Sequence, residues 1–479
     1  MGDEIQMPSC FCRIRGKSAE YGSQVGKGFV RFGETEKEIY MTVESDFRFY
    51  PVGHGLFYAG RINKENSYLT FVYDCGSKWD DGLLADAIER NRDFMACSQQ
   101  LDYLFISHLH CDHISGIARL IDSFPYGVRA LLMPYVSFAE YMAGLNSLKD
   151  SGDEDFDPAL DFMGSMGQWL KEEKIERLFV IGDRESDREI NEDQRGDMYD
   201  LGFRNWQEDN LLSDEFFRNY PDMGSLSRKI HFLRQGTWIE RSDVAWQFRW
   251  YVHPLDEKEL KKFRDEIMKI PEFKNYEMGQ ERKELLRKLF GKKSGKVNNE
   301  SLKKLKQCYE HLPLFENGGH NATSLVLVHR PTNVYGMEDG WVSAREILRV
   351  RRGHRSWVST CQRLPVHHRY DFSTRNGTVL FGDINLTSDD FASIIRYFIA
   401  EWQHIIIATV QHHGSVKNWN ENIFDWLHGV FWIVSSRYED GYHHPDGAVV
   451  YNILRRAPIE RFVWNHEGNV VEIHWRQWR

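Results

Sequence analysis

Short apolar runs broken by glycine and polar residues fill the first part of the chain, a pattern typical of β-strands. Two of these runs lie between residues 47 and 77, with the sequences FRFYPVGHGLFYAGR and YLTFVYDCGS, and they predict paired strands that end at Asp74. Residues 101–106 predict a buried strand, because this run is short, apolar and bounded by polar residues. Helical spacing of apolar positions follows at residues 83–92 and 114–123.

A second series of strand patterns occupies residues 323–328, 378–381, 405–410 and 430–434, with glycine, aspartate, asparagine and histidine at their ends. This series predicts a second half-sheet. Residues 136–310 lie between the two series and are rich in charge. They contain strand candidates at 177–181 and 244–252 and a Lys/Glu-rich helical stretch at 255–289. We therefore expect an α/β fold with a large charged, α-rich insertion or cap.

The composition predicts a folded protein, and we expect it to be cytoplasmic. A chain of 479 residues with 41% hydrophobic and 14% aromatic residues can bury a sizeable core. No apolar run approaches the roughly 20 residues that span a bilayer, and residues 1–15 lack the apolar block of a secretory signal. The net charge of −10 argues against indiscriminate coating of nucleic acid, which depends on neutralised phosphates. The seven cysteines have no paired CxxC spacing, so a disulfide framework is not expected.

The densest group of chemically competent side chains follows the strand at 101–106, in the segment Ser107-His108-Leu109-His110-Cys111-Asp112-His113. Two histidines separated by one residue and followed by Asp-His place nitrogen and oxygen ligands in one loop, where they can face neighbouring metal ions. Asp383, His412 and His413 occupy equivalent places after later strands. A histidine-rich surface loop and an ordinary Gly-Asp turn are the alternatives, and the joint occurrence of the segments favours a metal site.

HLHCDH resembles the HxHxDH signature of the metallo-β-lactamase superfamily, and the order of the later segments resembles its ComEC-like, competence-protein branch in a stand-alone form. The similar segments are VGHG, VYDCGS, HNATSLVLV, VLFGDIN, VQHHGS, SSRYEDGYHHPD and the tail RFVWNHEGNVVEI, which is similar to the branch's final hairpin. The resemblance covers residues 45–135 and 312–475. It departs at Pro51 and Leu56, where the branch usually has acidic residues. No membrane channel accompanies the domain, so a DNA-uptake channel is not expected.

The resemblance implies an αββα sandwich of the metallo-β-lactamase fold. Its first half spans residues 45–135 and its second half spans 311–479, with an N-terminal extension at 1–44 and the insertion or cap at 136–310. An Arg-rich insertion at 340–375 interrupts the second half.

The same resemblance implies two divalent metal ions, zinc or manganese. It places His108, His110 and one of His412 and His413 around the first ion, with Asp112 and His113 on the second and Asp383 between them. His320 is a candidate for the superfamily's remaining histidine. Asp74 is expected to orient the metal loop rather than to bind metal.

Two such cations lower the pKa of a shared water, which then attacks the substrate. Asp112 can accept the proton of this water, and His444 can contact a phosphate or protonate the leaving group. His443 and His444 are equally well explained as loop histidines without a role.

Phosphate affinity is expected from the Arg-rich insertion, in particular from Arg351, Arg352 and Arg355, and from Ser415 in the H-H-G-S segment. Trp341, Trp357 and His367 offer stacking faces to bases. A solvated or partner-binding loop is the alternative for this insertion.

These features favour a metal-dependent phosphodiesterase, in the first instance a nuclease that acts on DNA, and the resemblance adds a bacterial defence effector as a hypothesis. Hydrolysis of a small ester, lactone, lactam or cyclic nucleotide is the second hypothesis, and it needs a closed apolar pocket. The third is a partner-binding module with a structural metal site, in which a protein partner binds the 136–310 insertion.

Overall fold

The computed structural model describes residues 42–79, 82–135, 157–182, 200–206, 209–253, 324–332, 337–351, 354–365, 375–386, 389–437, 443–458, 461–466 and 470–478, with isolated positions between 262 and 269. For residues 337–365 the description is limited to the backbone. The α-helices and β-strands of these residues are, in chain order, β1 (Thr42–Phe49), β2 (Phe57–Lys64), β3 (Ser67–Cys75), α1 (Leu83–Phe94), β4 (Leu101–Phe105), α2 (Cys111–Ile114), α3 (Ile117–Asp122), β5 (Val128–Pro134), α4 (Asp157–Lys171), β6 (Ile175–Gly182), β7 (Phe203–Arg204), α5 (Asn210–Asn219), β8 (Ile230–Arg234), β9 (Trp238–Arg241), β10 (Trp246–Tyr251), β11 (Val326–Pro331), β12 (Met337–Arg351), β13 (His354–Pro365), β14 (Gly377–Leu380), α6 (Asp389–Tyr397), β15 (Ile405–Thr409), β16 (Phe431–Ser435), α7 (Gly447–Arg456), β17 (Phe462–Asn465) and β18 (Val471–Trp478).

Two mixed sheets contain these strands. The first has ten strands in the order β13-β12-β18-β1-β2-β3-β4-β5-β6-β8, of which β3 to β8 run parallel. The second has eight strands in the order β17-β16-β15-β14-β11-β10-β9-β7, with β14 to β17 parallel. The parallel strands of both sheets are apolar on both faces, as expected for strands covered on two sides.

The alternation of side chains along the strands produces three separate cores. On β4, Phe105 lies in the core between the sheets, where its ring centroid is 5.5 Å from that of Phe248 on β10. Leu104 lies on the opposite face, in a core that includes residues of α1 and α3. A third core lies on the outer face of the second sheet, beneath α6 and α7. The chain therefore has the helix–sheet–sheet–helix layering of the metallo-β-lactamase fold, and the predicted fold class is confirmed.

The strands and helices lie within a few residues of most predicted positions, and two predictions differ from the structure. The helix predicted at 114–123 begins earlier and is divided into α2 and α3. The hairpin predicted for the tail is wrong, because β17 pairs with β16 in the second sheet and β18 pairs with β1 in the first. Each strand finds a long-range partner that the local turn signal between them does not encode. The helical stretch predicted at 255–289 lies almost wholly outside the described residues.

The segment 136–310 contributes strands to both sheets. β6 and β8 extend the first sheet beyond β5, whereas β10, β9 and β7 extend the second sheet beyond β11. The described part of this segment therefore belongs to the two sheets of the sandwich. The predicted domain boundaries at residues 135 and 310 stay a prediction.

Among the described residues, no helix combines the length and apolarity needed to cross a membrane.

Candidate metal centre

Asp74 ties the two ends of the metal loop, residues 107–113, to the end of β3. It is fully buried, and its carboxylate accepts hydrogen bonds from Ser107 N at 2.7 Å, Ser107 Oγ at 2.6 Å and His113 Nδ1 at 2.7 Å. Burial raises the pKa of Asp74, and His113 acts in the opposite direction. Because these hydrogen bonds reach both Ser107 and His113, the Asp74 carboxylate holds the first and last residues of the loop close together.

Two glycines allow neighbouring loops to reach the backbone of the metal loop. A Cβ atom on Gly76 would lie 2.5 Å from the backbone of His113, and one on Gly55 would lie 2.8 Å from the carbonyl oxygen of Asp112. The same carbonyl accepts a hydrogen bond from Leu56 N at 3.0 Å. The D-C-G-S and V-G-H-G segments therefore need glycine for close backbone approach rather than for a turn alone.

Hydrogen bonds at Nδ1 fix the ring orientation of four histidines. His113 donates to Asp74 and His413 donates to the Ser435 carbonyl at 2.6 Å. His108 hydrogen-bonds with Ser107 Oγ at 2.9 Å, and His412 donates to Asn418 Oδ1 at 2.8 Å. Outer partners of this kind select the tautomer of a metal-ligating histidine, and they leave Nε2 for the site.

The first group of donor atoms comprises His108, His110, His412 and Asp383 Oδ2. His108 Nε2 lies 3.6 Å and His412 Nε2 lies 3.7 Å from that oxygen. The ring centroid of His110 is 4.5 Å from that of His108, and the donor atoms of these two residues and Asp112 lie within 4.8 Å of one another.

The second group comprises Asp112, His113, His413 and Asp383, whose donor atoms all lie within 4.8 Å of one another. His113 Nε2 is 3.2 Å from Asp383 Oδ1, and His413 Nε2 is 3.3 Å from Asp112 Oδ2. All four residues are buried. Asp383 faces the first group with one oxygen and the second group with the other, so it lies where a bridging ligand would lie.

Backbone conformation directs His412 and His413 to different groups. Both residues have positive φ, 44° and 54°, and the following Gly414 has φ 89°. Gly414 admits no side chain, because a Cβ atom would lie 2.5 Å from Cβ of Pro445. Non-glycine residues rarely adopt this left-handed region, and clusters of such residues are typical of functional sites.

The charges of the site are strongly coupled. Burial opposes ionisation of Asp112 and Asp383, yet the surrounding histidines outweigh it and hold both pKa values well below the usual range. Burial lowers the pKa of His110 to about 4 and that of His108 well below its usual value. The pKa of His113 is raised well above its usual value despite burial, because Asp383 and Asp74 adjoin it. The buried carboxylates therefore demand positive charge, which a proton or a metal ion can supply.

These residues fit divalent cations. His108 Nε2, His113 Nε2 and Asp383 Oδ1 are buried and make no hydrogen bond within the part of the chain that the structure describes. His113 Nε2 and Asp383 Oδ1 lie 3.2 Å apart as an ion pair without hydrogen-bond geometry. A buried polar atom that makes no hydrogen bond costs roughly 1–3 kcal/mol, so a cation that binds between the three atoms would offset this cost. Imidazole nitrogens together with carboxylate oxygens suit zinc or manganese.

Seven of the predicted ligands lie in the two groups: His108, His110, Asp112, His113, Asp383, His412 and His413. Of the two histidines between which the sequence does not choose, His412 approaches the first group and His413 approaches the second. His444 lies at the border, with its ring centroid 6.0 Å from those of both His54 and His412. Ser415 is buried and its N–H donates to the His412 carbonyl at 2.9 Å.

Other predicted residues are not placed at the centre. His320, Arg352 and His367 lie outside the described residues. Arg351 and Arg355 lie at the tip of the hairpin formed by β12 and β13.

One residue of the site was not predicted. His54, in the V-G-H-G segment, is 4% exposed, and its Nε2 lies 3.9 Å from Asp112 Oδ2. Its ring centroid is 4.3 Å from that of His413. The sequence signal for this residue is the histidine between the two glycines of the V-G-H-G segment.

Comparisons with known proteins give matches over part of the chain. Residues 66–195 match the family described as the metallo-beta-lactamase superfamily. Among solved structures, a long form RNase Z from yeast aligns with 14% identity and a TM-score of 0.19, over 36% of this chain and 26% of the RNase Z chain. The aligned part thus spans about a quarter of that enzyme. A comparison with curated proteins gives no match.

Proposed function

We propose that the protein is a metal-dependent phosphodiesterase that cleaves nucleic acid, with DNA as the expected substrate. The observation that carries the proposal is the convergence of two donor groups on Asp383, whose Oδ2 lies near His108 and His412 and whose Oδ1 lies near His113, with the buried Nε2 atoms of His108 and His113 directed into the site. His108, His110 and His412 would hold one divalent ion, zinc or manganese, and Asp112, His113 and His413 a second.

Bound there, the ions would lower the pKa of a water molecule and stabilise negative charge on the substrate. The chain's own residues then have separable roles. Asp112 Oδ2, between His413 and His54, accepts the proton of the attacking water. His444 borders both groups and is half-buried, so it can protonate the leaving group from the solvent side. Asp74 holds His113 and does not touch the substrate.

The register of the first sheet supports a polymeric substrate. Strand β18 begins at Val471, which pairs with Phe49 at the end of β1, and the loop to His54 starts there. On β12, Ser343 pairs with Glu472, so residues 344–351 continue past the start of β18. At about 3.3 Å per residue, those eight residues extend roughly 26 Å past the start of β18, at the edge where the metal loop lies.

The extended part of this hairpin is rich in arginine. Its arginine positions on the described backbone are Arg345, Arg349, Arg351 and Arg355. A cationic arm of this length is suited to phosphates several nucleotides from the metal centre, because arginine forks match phosphate geometry. Arg351, Arg355 and the buried Ser415 stay the proposed phosphate contacts.

The test compares metal-loaded protein on single-stranded DNA, double-stranded DNA, RNA and bis(p-nitrophenyl) phosphate, with metal content measured on each sample. Cleavage by the wild type that is lost in Asp112→Ala and in Asp383→Ala supports the proposal. Asp102→Asn is the matched control, since this carboxylate lies at the opposite end of β4 and bonds Thr70. Absence of cleavage in a protein that binds two ions would refute free-standing nuclease activity.

The same assay includes a neutral p-nitrophenyl ester, which separates the proposal from hydrolysis of a small ester or lactone. A bacterial defence role, a protein partner and a cytoplasmic location stay hypotheses from the sequence.

A further inference from the structure

We propose that Trp79 and Arg437 form a phosphate-binding wall of the substrate site, beside the second group of donor atoms. The inference rests on the proposed function and adds the residues that recognise the substrate's phosphate. It selects an anionic phosphodiester over an uncharged ester or lactam of similar size.

The two residues extend from strand ends that already carry the site. Trp79 lies four residues after β3, the strand that contains Asp74. Arg437 lies two residues after β16, whose last residue, Ser435, holds the ring of His413 through its carbonyl. Because both strands end at the same edge of the sandwich, residues far apart in sequence meet there: the guanidinium carbon of Arg437 is 5.5 Å from the centroid of the Trp79 ring.

A single buried ring connects this pair to the donor atoms. His54 packs against His413 at 4.3 Å between centroids and meets Trp79 edge to face at 5.5 Å. His54 Nε2 is also 3.9 Å from Asp112 Oδ2. Trp79 is therefore separated from the second donor group by the imidazole of His54, and Arg437 lies against the indole of Trp79.

Exposure and chemistry then assign a role. His54 is 4% exposed, whereas Trp79 and Arg437 are half-buried, so the pair forms the part of this wall that a ligand can reach. A guanidinium within about 6 Å of an indole face is attracted by the ring, which favours this position of the Arg437 side chain. The N–H donors of a guanidinium lie in one plane, as a fork that matches two phosphate oxygens.

The experiment measures binding and cleavage separately. Binding of a short fluorescein-labelled single-stranded DNA to metal-loaded protein is followed by fluorescence anisotropy, and KM and kcat are measured with bis(p-nitrophenyl) phosphate and with a neutral p-nitrophenyl ester. For Arg437→Gln we expect DNA affinity to fall about 10- to 100-fold, the usual effect of losing a charge-assisted bond. We expect a matching rise in KM for the phosphodiester, unchanged metal content, and an unchanged KM for the ester. Arg437→Lys should retain part of the affinity, and Trp79→Ala should weaken binding as well.

Arg461→Gln is the matched control. Its guanidinium lies over the Phe431 ring at 5.4 Å, at the opposite end of β16, so the change removes an arginine–aromatic pair without touching the site. Equal DNA affinity of the wild type and Arg437→Gln would overturn the inference, as would an equal loss in Arg461→Gln. If the proposed function fails, the wild type will cleave no phosphodiester. The anisotropy measurement will still decide, by comparing the DNA affinity of the wild type with that of Arg437→Gln, whether Arg437 binds phosphate.

Discussion

Replacement of Asp74 by asparagine is expected to weaken metal binding while the sandwich stays folded. The carboxylate accepts three hydrogen bonds in a fully buried position, and one of them orients His113. Asp74 Oδ1 accepts from Ser107 N, whereas Oδ2 accepts from both Ser107 Oγ and His113 Nδ1. An asparagine has one acceptor oxygen and an N–H₂ group, so the N–H₂ group must face either the Ser107 N–H or the Oγ of Ser107 and Nδ1 of His113. In the first orientation two donors oppose each other at the start of the metal loop, and in the second His113 loses the acceptor that directs its Nε2 towards Asp383.

The size of the effect follows from this outer contact. Loss of such a partner typically lowers metal affinity 10- to 100-fold, or about 1.4–2.7 kcal/mol. The assay is competition for zinc and for manganese with a chromophoric chelator, together with thermal unfolding with and without metal. We expect weaker binding at one of two sites and a smaller stabilisation by metal.

Asp102→Asn is the control for the loss of a largely buried carboxylate. Asp102 accepts from Thr70 N and Oγ, at the end of β4 opposite the metal loop. Unchanged metal affinity in Asp74→Asn would refute the reasoning. An equal loss of metal affinity in Asp102→Asn would refute it as well, because either result would show that metal binding does not depend on the hydrogen bond between Asp74 and His113.

Three further changes test other parts of the structure. Gly76→Ala places a Cβ 2.5 Å from the His113 backbone, so urea unfolding should show a free energy of unfolding that is lower by about 1–3 kcal/mol, and metal binding should be weaker. Gly224→Ala is the control: its Cβ lies in open space, so neither the free energy of unfolding nor the metal affinity should change. Removal of bound metal by a chelator should lower Tm, and metal added back at about 100 times its Kd should raise the free energy of unfolding by roughly 2.7 kcal/mol. An unchanged Tm would contradict metal binding to the folded state. Burial lowers the pKa of His329 to about 3, so the unfolded chain binds the extra proton below about pH 6.5 and stability falls as the pH drops from there towards 3. At about pH 4.5 the protonation of this residue in the unfolded chain should lower the free energy of unfolding by roughly 2.7 kcal/mol relative to neutral pH. The free energy of unfolding of His329→Gln should fall less in acid, and an equal dependence on pH in both proteins would refute this prediction.

Local patterns predicted much of this structure. The strands at β3, β4, β14, β15 and β16 and the ligand-bearing loops after them are visible in the sequence, because apolar runs and polar strand ends are encoded within a few residues. His108, His110, Asp112 and His113 fall within six consecutive positions, so their proximity needs no tertiary information.

Other features depend on contacts between distant segments. The two strands of the tail join different sheets, and β6 to β10 extend both sheets from within the segment 136–310 that the sequence presents as an insertion. Local hydrophobic pattern predicts that a strand exists, but its partner is chosen by packing and hydrogen bonding across the whole sandwich.

The candidate ligands and the strand ends that carry them can be recognised in the sequence, since they depend on periodicity and short spacing, and the resemblance of the motifs implies the αββα fold. Folding of the chain brings His412 and His413 to different donor groups, Asp383 between these groups and His54 into the site. The reason is geometric: a left-handed turn and the meeting of two sheet edges bring together atoms some 300 residues apart, as between His413 and Asp112, and no local pattern specifies that meeting.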